Sequence, residues 1–150
     1  RIKMINSIKK LRDQTGLSVA DIKNALDEAK GDEAKALEIL SSSGHKIAEK
    51  KTSREAKEGI VESYIHDNKK IGAIVVLHCE TDFVARSRDF KELAHDLAMQ
   101  IASMDPKDVD ELLGQPFIKE QETTVKGLID RNIAKLGENI KVGDFVRFSV

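Results

Sequence analysis

The 150-residue sequence contains one cysteine, two prolines, one tyrosine and no tryptophan. A single cysteine, Cys79, excludes an intramolecular disulfide and favours a reducing compartment. No apolar run approaches the roughly 20 residues that a membrane-spanning helix needs. The charges nearly cancel, with 25 basic and 26 acidic residues, so no net field favours nucleic acid or an anionic membrane. These absences predict a globular, water-facing protein that binds neither nucleic acid nor a membrane directly.

The sequence begins at Arg1 and shows no charged-then-apolar leader. Such a start is typical of a trimmed or processed product without a secretory signal. We therefore expect the bacterial cytoplasm, or an organellar matrix or stroma if the chain is a processed form.

Residues 1–44 show the apolar spacing of three short helices. We expect Ile5, Ile8 and Leu11 to line the core from the first helix, and the cluster Ser41–Gly44 to end the third. About 45 residues is near the lower limit for a domain without metal or disulfide, so this three-helix module should have a thin core. Residues that end or cap helices separate the three predicted helices: Gly16, the Ser18 to Asp21 variant of the capping box, Gly31 and Asp32.

The charged segment 45–59 is expected to be a solvated linker, either extended or helical. After it, Ile60–His66 and Ile71–Cys79 are strand-like runs separated by turn-favouring residues, which predicts a hairpin. The second run is apolar on both faces, so we expect it to be central in the sheet or covered on both sides.

The remaining elements of the domain spanning 60–150 follow from periodicity. Apolar stripes predict helices over 90–102 and 125–136 and a helical turn over 109–113. In the last segment, 140–150, apolar and mixed positions alternate as in a half-buried strand. The sequence therefore predicts an α+β fold: a three-helix module followed by a small α+β domain whose antiparallel sheet is covered by helices.

Cys79 lies between His78 and Glu80, which would suit a thiol nucleophile with a neighbouring base and acid. On a strand, however, successive side chains point to opposite faces, so His78 cannot serve Cys79 as a base. The four histidines lack metal-ligand spacing, and the common catalytic and phosphate-binding motifs do not occur. We therefore expect a structural cysteine and a protein that is not an enzyme and needs neither cofactor nor metal.

The segment Thr81-Asp82-Phe83-Val84-Ala85-Arg86 closely resembles a motif of the elongation factor Ts family, the guanine nucleotide exchange factors of elongation factor Tu. Two further segments support the resemblance. Leu11–Gly16, with Asp21–Leu26 and Gly31-Asp32, is similar to that family's ubiquitin-associated-like N-terminal module. Ile133–Ile140 is similar to its late helix-to-strand junction. The three motifs occur in the family's order over nearly the whole chain.

The resemblance implies a translation elongation factor that binds elongation factor Tu in its GDP form and promotes GDP release by disturbing the magnesium and phosphate site. It divides the chain into a ubiquitin-associated-like partner-binding module (1–44), a charged linker (45–59) and a dimerisation-type core domain (60–150), which leaves a homodimer open. The partner-binding residues that it implies form two groups: Thr81, Asp82, Phe83 and Val84, and, in the N-terminal module, Val19, Ala20 and Lys23.

Several alternatives stay open at this stage. From the residues alone, Phe83 plugs the end of the sheet while Asp82 caps the next helix; the resemblance instead implies that Phe83 is exposed as a partner anchor. The alternative function is a non-catalytic interaction adaptor that uses the N-terminal module. The sequence also departs from the family pattern at three places: Ser18-Val19-Ala20 replaces a Gly-Met-Met-like contact, Gly143-Asp144 replaces paired arginines, and the segment Asp105–Gln115 is short.

Overall fold

The computed structural model describes all 150 residues and confirms the α+β fold. Three N-terminal helices precede a unit in which four helices combine with a three-stranded sheet and a small hairpin. None of the helices combines the length and the apolar composition that a membrane crossing needs. The elements are α1 (Ile2–Thr15), α2 (Val19–Glu28), α3 (Glu33–Lys51), β1 (Glu58–Ile65), β2 (Ile71–Cys79), α4 (Asp82–Ala85), α5 (Arg88–Met104), α6 (Val109–Gly114), β3 (Pro116–Phe117), β4 (Glu120–Thr124), α7 (Val125–Leu136) and β5 (Lys141–Ser149).

The N-terminal helices start where the cap residues predicted. The Asp21 amide donates to Ser18 Oγ at 3.1 Å at the start of α2, and the Lys35 amide donates to Asp32 Oδ1 at 3.1 Å at the start of α3. The three helices enclose a small separate core: Leu11, Leu17, Ile22, Ala25, Leu26, Ala29, Ala36 and Leu40.

The buried stripe of α1 differs from the predicted one. Ile5 is 57% exposed, and the buried positions are Ser7, Leu11 and Thr15, which follow one another at intervals of four residues. Ser7 can be buried because its hydroxyl lies 3.0 Å from the Lys3 carbonyl and 2.6 Å from Glu33 Oε1, and so keeps its hydrogen bonding. A search for apolar residues alone misses such a position.

The third helix does not end at Ser41–Gly44, as the sequence predicted, but continues to Lys51. Gly44 is buried in the middle of α3, where a Cβ would lie 3.6 Å from Ala134 Cβ of α7. Packing against α7 therefore overrides the weak helix propensity of the serine and glycine run. Only residues 52–57 lie between α3 and β1.

The main sheet has the antiparallel order β1-β2-β5, so the predicted hairpin and the central position of β2 are confirmed. Helix α5 packs against one face, with Phe90, Leu97 and Ile101 fully buried. In β5 the alternation is as predicted, with Phe145 and Arg147 on the covered side; the Arg147 Nε–H donates to the Ala102 carbonyl at 2.9 Å.

The opposite face of the sheet is open, so of the two predicted alternatives β2 is central rather than covered on both sides. The register pairs its residues across the strands, Val61 with Val76 and Ile74 with Val146. The large apolar side chains exposed on this face are Val61, Ile65, Ile74, Val146 and Phe148.

Candidate partner-binding site

The segment between β2 and α5 carries the motif that resembles elongation factor Ts. Its centre is the one-turn helix α4, whose N-cap is Thr81: the Val84 amide donates to Thr81 Oγ1 at 3.3 Å. Asp82, expected as a cap in one sequence reading, is therefore not the capping residue. Its carboxylate is mostly exposed and pairs with Arg86 Nε at 3.0 Å.

Phe83 is 81% exposed, so it does not plug the end of the sheet. Along the single turn of α4, the Asp82 and Phe83 side chains face solvent, whereas those of Val84 and Ala85 are buried in the main core. Val84, which the resemblance placed among the partner contacts, is only 5% exposed and so offers almost no surface. Thr81, Asp82 and Phe83 remain together on the outside. We call residues 81–83 the tip.

The tip is held from behind by Glu138, which follows the C-cap of α7. The amides of Glu80 and Thr81 donate to Glu138 Oε1 at 3.1 and 2.9 Å, and the Thr81 hydroxyl donates to Oε2 at 2.6 Å. Glu138 lies within the Ile133–Ile140 motif, but no sequence pattern indicated a role for it. A carboxylate just past the helix-ending Gly137 was the available signal, but the residues that it binds are 57 and 58 positions earlier.

The next residue, Asn139, fixes a different segment. It is 1% exposed, and its side-chain amide donates to the Arg54 carbonyl at 2.7 Å and to the Thr52 carbonyl at 3.4 Å. Both acceptors belong to the connection between α3 and β1. Neighbouring residues of one junction thus hold the tip and the connection to the N-terminal helices.

Cys79 ends β2 just before the tip and is fully buried. Burial, and secondarily the Glu138 charge, raises the pKa of the Cys79 thiol to about 11. The thiol donates to the Thr81 carbonyl at 3.2 Å. A protonated, buried thiol is a poor nucleophile, so the local chemistry does not favour covalent catalysis.

The second group of predicted residues, Val19, Ala20 and Lys23, lies at the start of α2, where all three side chains are exposed. Spacings of three and four residues put Lys23 on the same helix face as the other two. The structure therefore presents a small mixed surface there, on an element separate from the tip. Val19 is 37% exposed and contributes its apolar part.

The structure offers no group of three or more His, Cys, Asp or Glu side chains placed to hold a metal ion. A cleft of about 980 Å³ lies between the N-terminal helices and the β4–α7 region. Within it, Arg131 binds Glu120 through two hydrogen bonds of 3.0 and 3.2 Å. Neither cleft wall includes the tip.

Comparisons with known proteins agree with this arrangement. Residues 80–150 match the family model described as elongation factor TS. Elongation factor Ts from Fervidobacterium nodosum is 41% identical over 188 aligned positions, which cover 95% of this chain and 95% of that protein. The proteins of the same name from Thermodesulfovibrio yellowstonii and Carboxydothermus hydrogenoformans are 41% and 40% identical, each over 95% of this chain.

The 188 aligned positions exceed the 150 residues of this chain by 38, so the Fervidobacterium relative has segments that this chain lacks. The similarity nevertheless spans the N-terminal helices and the α+β unit alike, at 95% of the chain. The chain belongs to the elongation factor Ts family of translation elongation factors.

Proposed function

We propose that the chain is a non-enzymatic guanine nucleotide exchange factor, which binds elongation factor Tu in its GDP form and promotes GDP release by disturbing the magnesium and phosphate site. The observation that carries the proposal is the exposure of Phe83, at 81%, on a structured turn. A large exposed aromatic on a well-held turn is typical of an interface anchor.

The tip supplies the two kinds of group that such a displacement needs. Phe83 is an apolar wedge that can enter between helices of the partner's nucleotide-binding domain. Asp82 adds a carboxylate next to it, oriented by its 3.0 Å contact with Arg86. Exchange breaks no covalent bond, so it requires neither a nucleophile nor a general base. The buried thiol of Cys79 is consistent with that kind of reaction.

Phe83 alone does not supply the whole effect. Accelerating GDP release about a thousandfold requires roughly 4 kcal/mol of differential stabilisation. Full burial of one phenylalanine contributes only about 1.5–3 kcal/mol. We therefore assign a second contact to Val19, Ala20 and Lys23 on α2, which are exposed in the free chain. Because coupling is reciprocal, a bound nucleotide lowers the affinity of elongation factor Tu for this chain by the same factor by which the chain lowers its affinity for the nucleotide. GTP binding therefore favours release of the chain.

The partner-binding module comprises residues 1–44 in this proposal, and the core domain residues 60–150. Two separate hydrophobic clusters support the division: one lies wholly within residues 11–40 and the other within 48–140. The continuous α3 enters both, because Leu40 belongs to the first cluster and Ala48 to the second.

The direct test is release of a fluorescent GDP analogue from purified elongation factor Tu, with and without this chain. The proposal requires a release rate that rises with the concentration of the chain and then saturates. A rate unchanged at every concentration would refute exchange activity. Binding to elongation factor Tu without acceleration would favour the alternative, an adaptor that acts through the N-terminal module.

A homodimer formed through the open sheet face is a second proposal. Val61, Ile74 and Phe148 expose apolar side chains there, and the lysine of this face, Lys141, lies at its end, opposite His78. Two copies can therefore stack face to face without bringing like charges together. Light scattering during size-exclusion chromatography should give twice the 16.7 kDa chain mass. Phe148→Glu should return the chain to a monomer, and a monomeric wild type at high concentration would refute the dimer.

A further inference from the structure

The tip follows the end of β2 at Cys79, where the backbone no longer pairs with a neighbouring strand. The amides of Glu80 and Thr81 donate to a single oxygen of Glu138 and have no backbone acceptor. The Thr81 hydroxyl donates to the other oxygen of that carboxylate and accepts from the Val84 amide, which starts α4. One carboxylate thus binds the chain immediately before Asp82 and, through the Thr81 hydroxyl, the cap of the turn that exposes Phe83.

We infer that Glu138 is a positioning residue for nucleotide exchange: it holds residues 80–81 so that Asp82 and Phe83 are presented in one orientation. The inference rests on the proposed exchange function and deepens it. Glu138 itself reaches no partner in this role, because both of its oxygens are engaged with the tip. Hydrogen bonds from backbone amides to a carboxylate are charge-assisted and therefore among the stronger ones available to a loop.

The expected consequence of losing Glu138 is a tip that samples several orientations. When only a fraction of molecules presents Phe83 correctly, the apparent affinity for the partner is the intrinsic affinity multiplied by that fraction. We expect Glu138→Ala to weaken stimulation of GDP release by on the order of tenfold, the equivalent of one lost charge-assisted hydrogen bond. The matched control is Glu122→Ala, because Glu122 is an exposed glutamate of the same domain with no hydrogen bond. It should exchange like the wild type.

A conservative variant separates hydrogen bonding from charge. Glu138→Gln keeps a carbonyl oxygen that can accept from the two amides, but it loses the charge and presents an NH2 group to the Thr81 hydroxyl in place of an acceptor, so amide protection and exchange should lie between those of the wild type and Glu138→Ala. It removes the negative charge that helps to keep the Cys79 thiol protonated, so the pKa of Cys79 should fall. The ultraviolet absorbance of the thiolate, followed through a pH titration, measures that change in the chain alone.

The first experiment needs no partner: amide hydrogen exchange at residues 80 and 81, followed by NMR in wild type, Glu138→Ala, Glu138→Gln and Glu122→Ala. The inference requires selective loss of protection at these two amides in Glu138→Ala, while the strand amides of β2 stay protected. Unchanged protection at both positions would overturn it. This readout decides the role of Glu138 in the tip even if the wild type fails to accelerate GDP release, a failure that would instead refute the proposed function.

The second experiment is a double-mutant cycle on GDP release, because a purely structural role would not couple to Phe83. If Glu138 acts by positioning Phe83, then Glu138→Ala should cost little in a Phe83→Ala background. Equal effects of Glu138→Ala in both backgrounds would show that it acts independently of Phe83 and would overturn the inference.

Discussion

Replacing Phe83 with alanine should slow GDP release while leaving the fold nearly intact. Full burial of a phenylalanine side chain is worth about 1.5–3 kcal/mol. Because Phe83 is 81% exposed in the free chain, most of that amount is available to a partner. Scaling by the exposed fraction leaves about 1.2–2.4 kcal/mol, which corresponds to a rate loss of roughly sevenfold to fiftyfold. The free chain should lose less than about 1 kcal/mol of stability, because little of the ring is packed.

The assay combines thermal melting with GDP-release rates on the same preparations. Phe117→Ala is the buried control: Phe117 is 4% exposed, so its loss should destabilise the fold by about 3–5 kcal/mol. Met104→Ala is the surface control, because Met104 is 45% exposed at the end of α5 and belongs to neither proposed interface. The wedge argument is wrong if Phe83→Ala melts as early as Phe117→Ala, or if it releases GDP as fast as the wild type.

Three further predictions concern the packing. Gly44→Ala should stabilise the chain by about 0.5–1 kcal/mol in chemical denaturation, because the new Cβ lies within a helix at an ordinary 3.6 Å from Ala134 Cβ. Gly16→Ala should destabilise the chain, because Gly16 has φ +67° and the new Cβ would clash with Lys135. A loss of stability in both variants would contradict this account of α3. Cys79→Ala should stimulate GDP release normally. Because the pKa of the thiol is raised in the folded chain, the contribution of the thiol to the free energy of unfolding should be complete below about pH 9 and disappear as pH rises through about 11. A variant with the same alkaline stability profile as the wild type would disprove this. Limited digestion with a protease of broad specificity, such as proteinase K, should cut first within residues 52–57, in the exposed connection between α3 and β1, and earlier cuts within β2 would refute the division into two modules.

The main elements of the fold were predictable because they depend on local signals. The Ser18 and Asp32 caps, the hairpin and the helix that ends at Gly137 all follow from short-range spacing and turn chemistry. The continuation of α3 past Gly44 was not predictable in the same way, because its cause is the distant surface of α7. Long-range packing overrides propensity, and a single sequence does not show which surfaces meet.

The same distinction between local signals and long-range contacts applies to the candidate site. The exposed tip could be singled out because Phe83 follows an apolar strand in a motif that resembles a family. Glu138 acquires its role only through contacts with residues 57 and 58 positions earlier, so spacing could not reveal it. The inward orientation of Val84 depends on one turn of helix, whose start at Thr81 a sequence pattern does not locate to the residue.

The unbroken course of α3 determines how the two proposed contacts work together. A flexible tether would let the α2 surface search around the partner independently of Phe83, at an effective concentration set by linker length. Here α3 is one continuous helix that contributes residues to both cores, and the Asn139 side chain is hydrogen-bonded to the short segment that follows it. In the proposed complex the chain would therefore be a rigid bivalent ligand, with the spacing between the two proposed contacts set by helix geometry. Inserting one residue into α3 would rotate one contact by about 100° relative to the other, whereas the same insertion in a tether would have almost no effect.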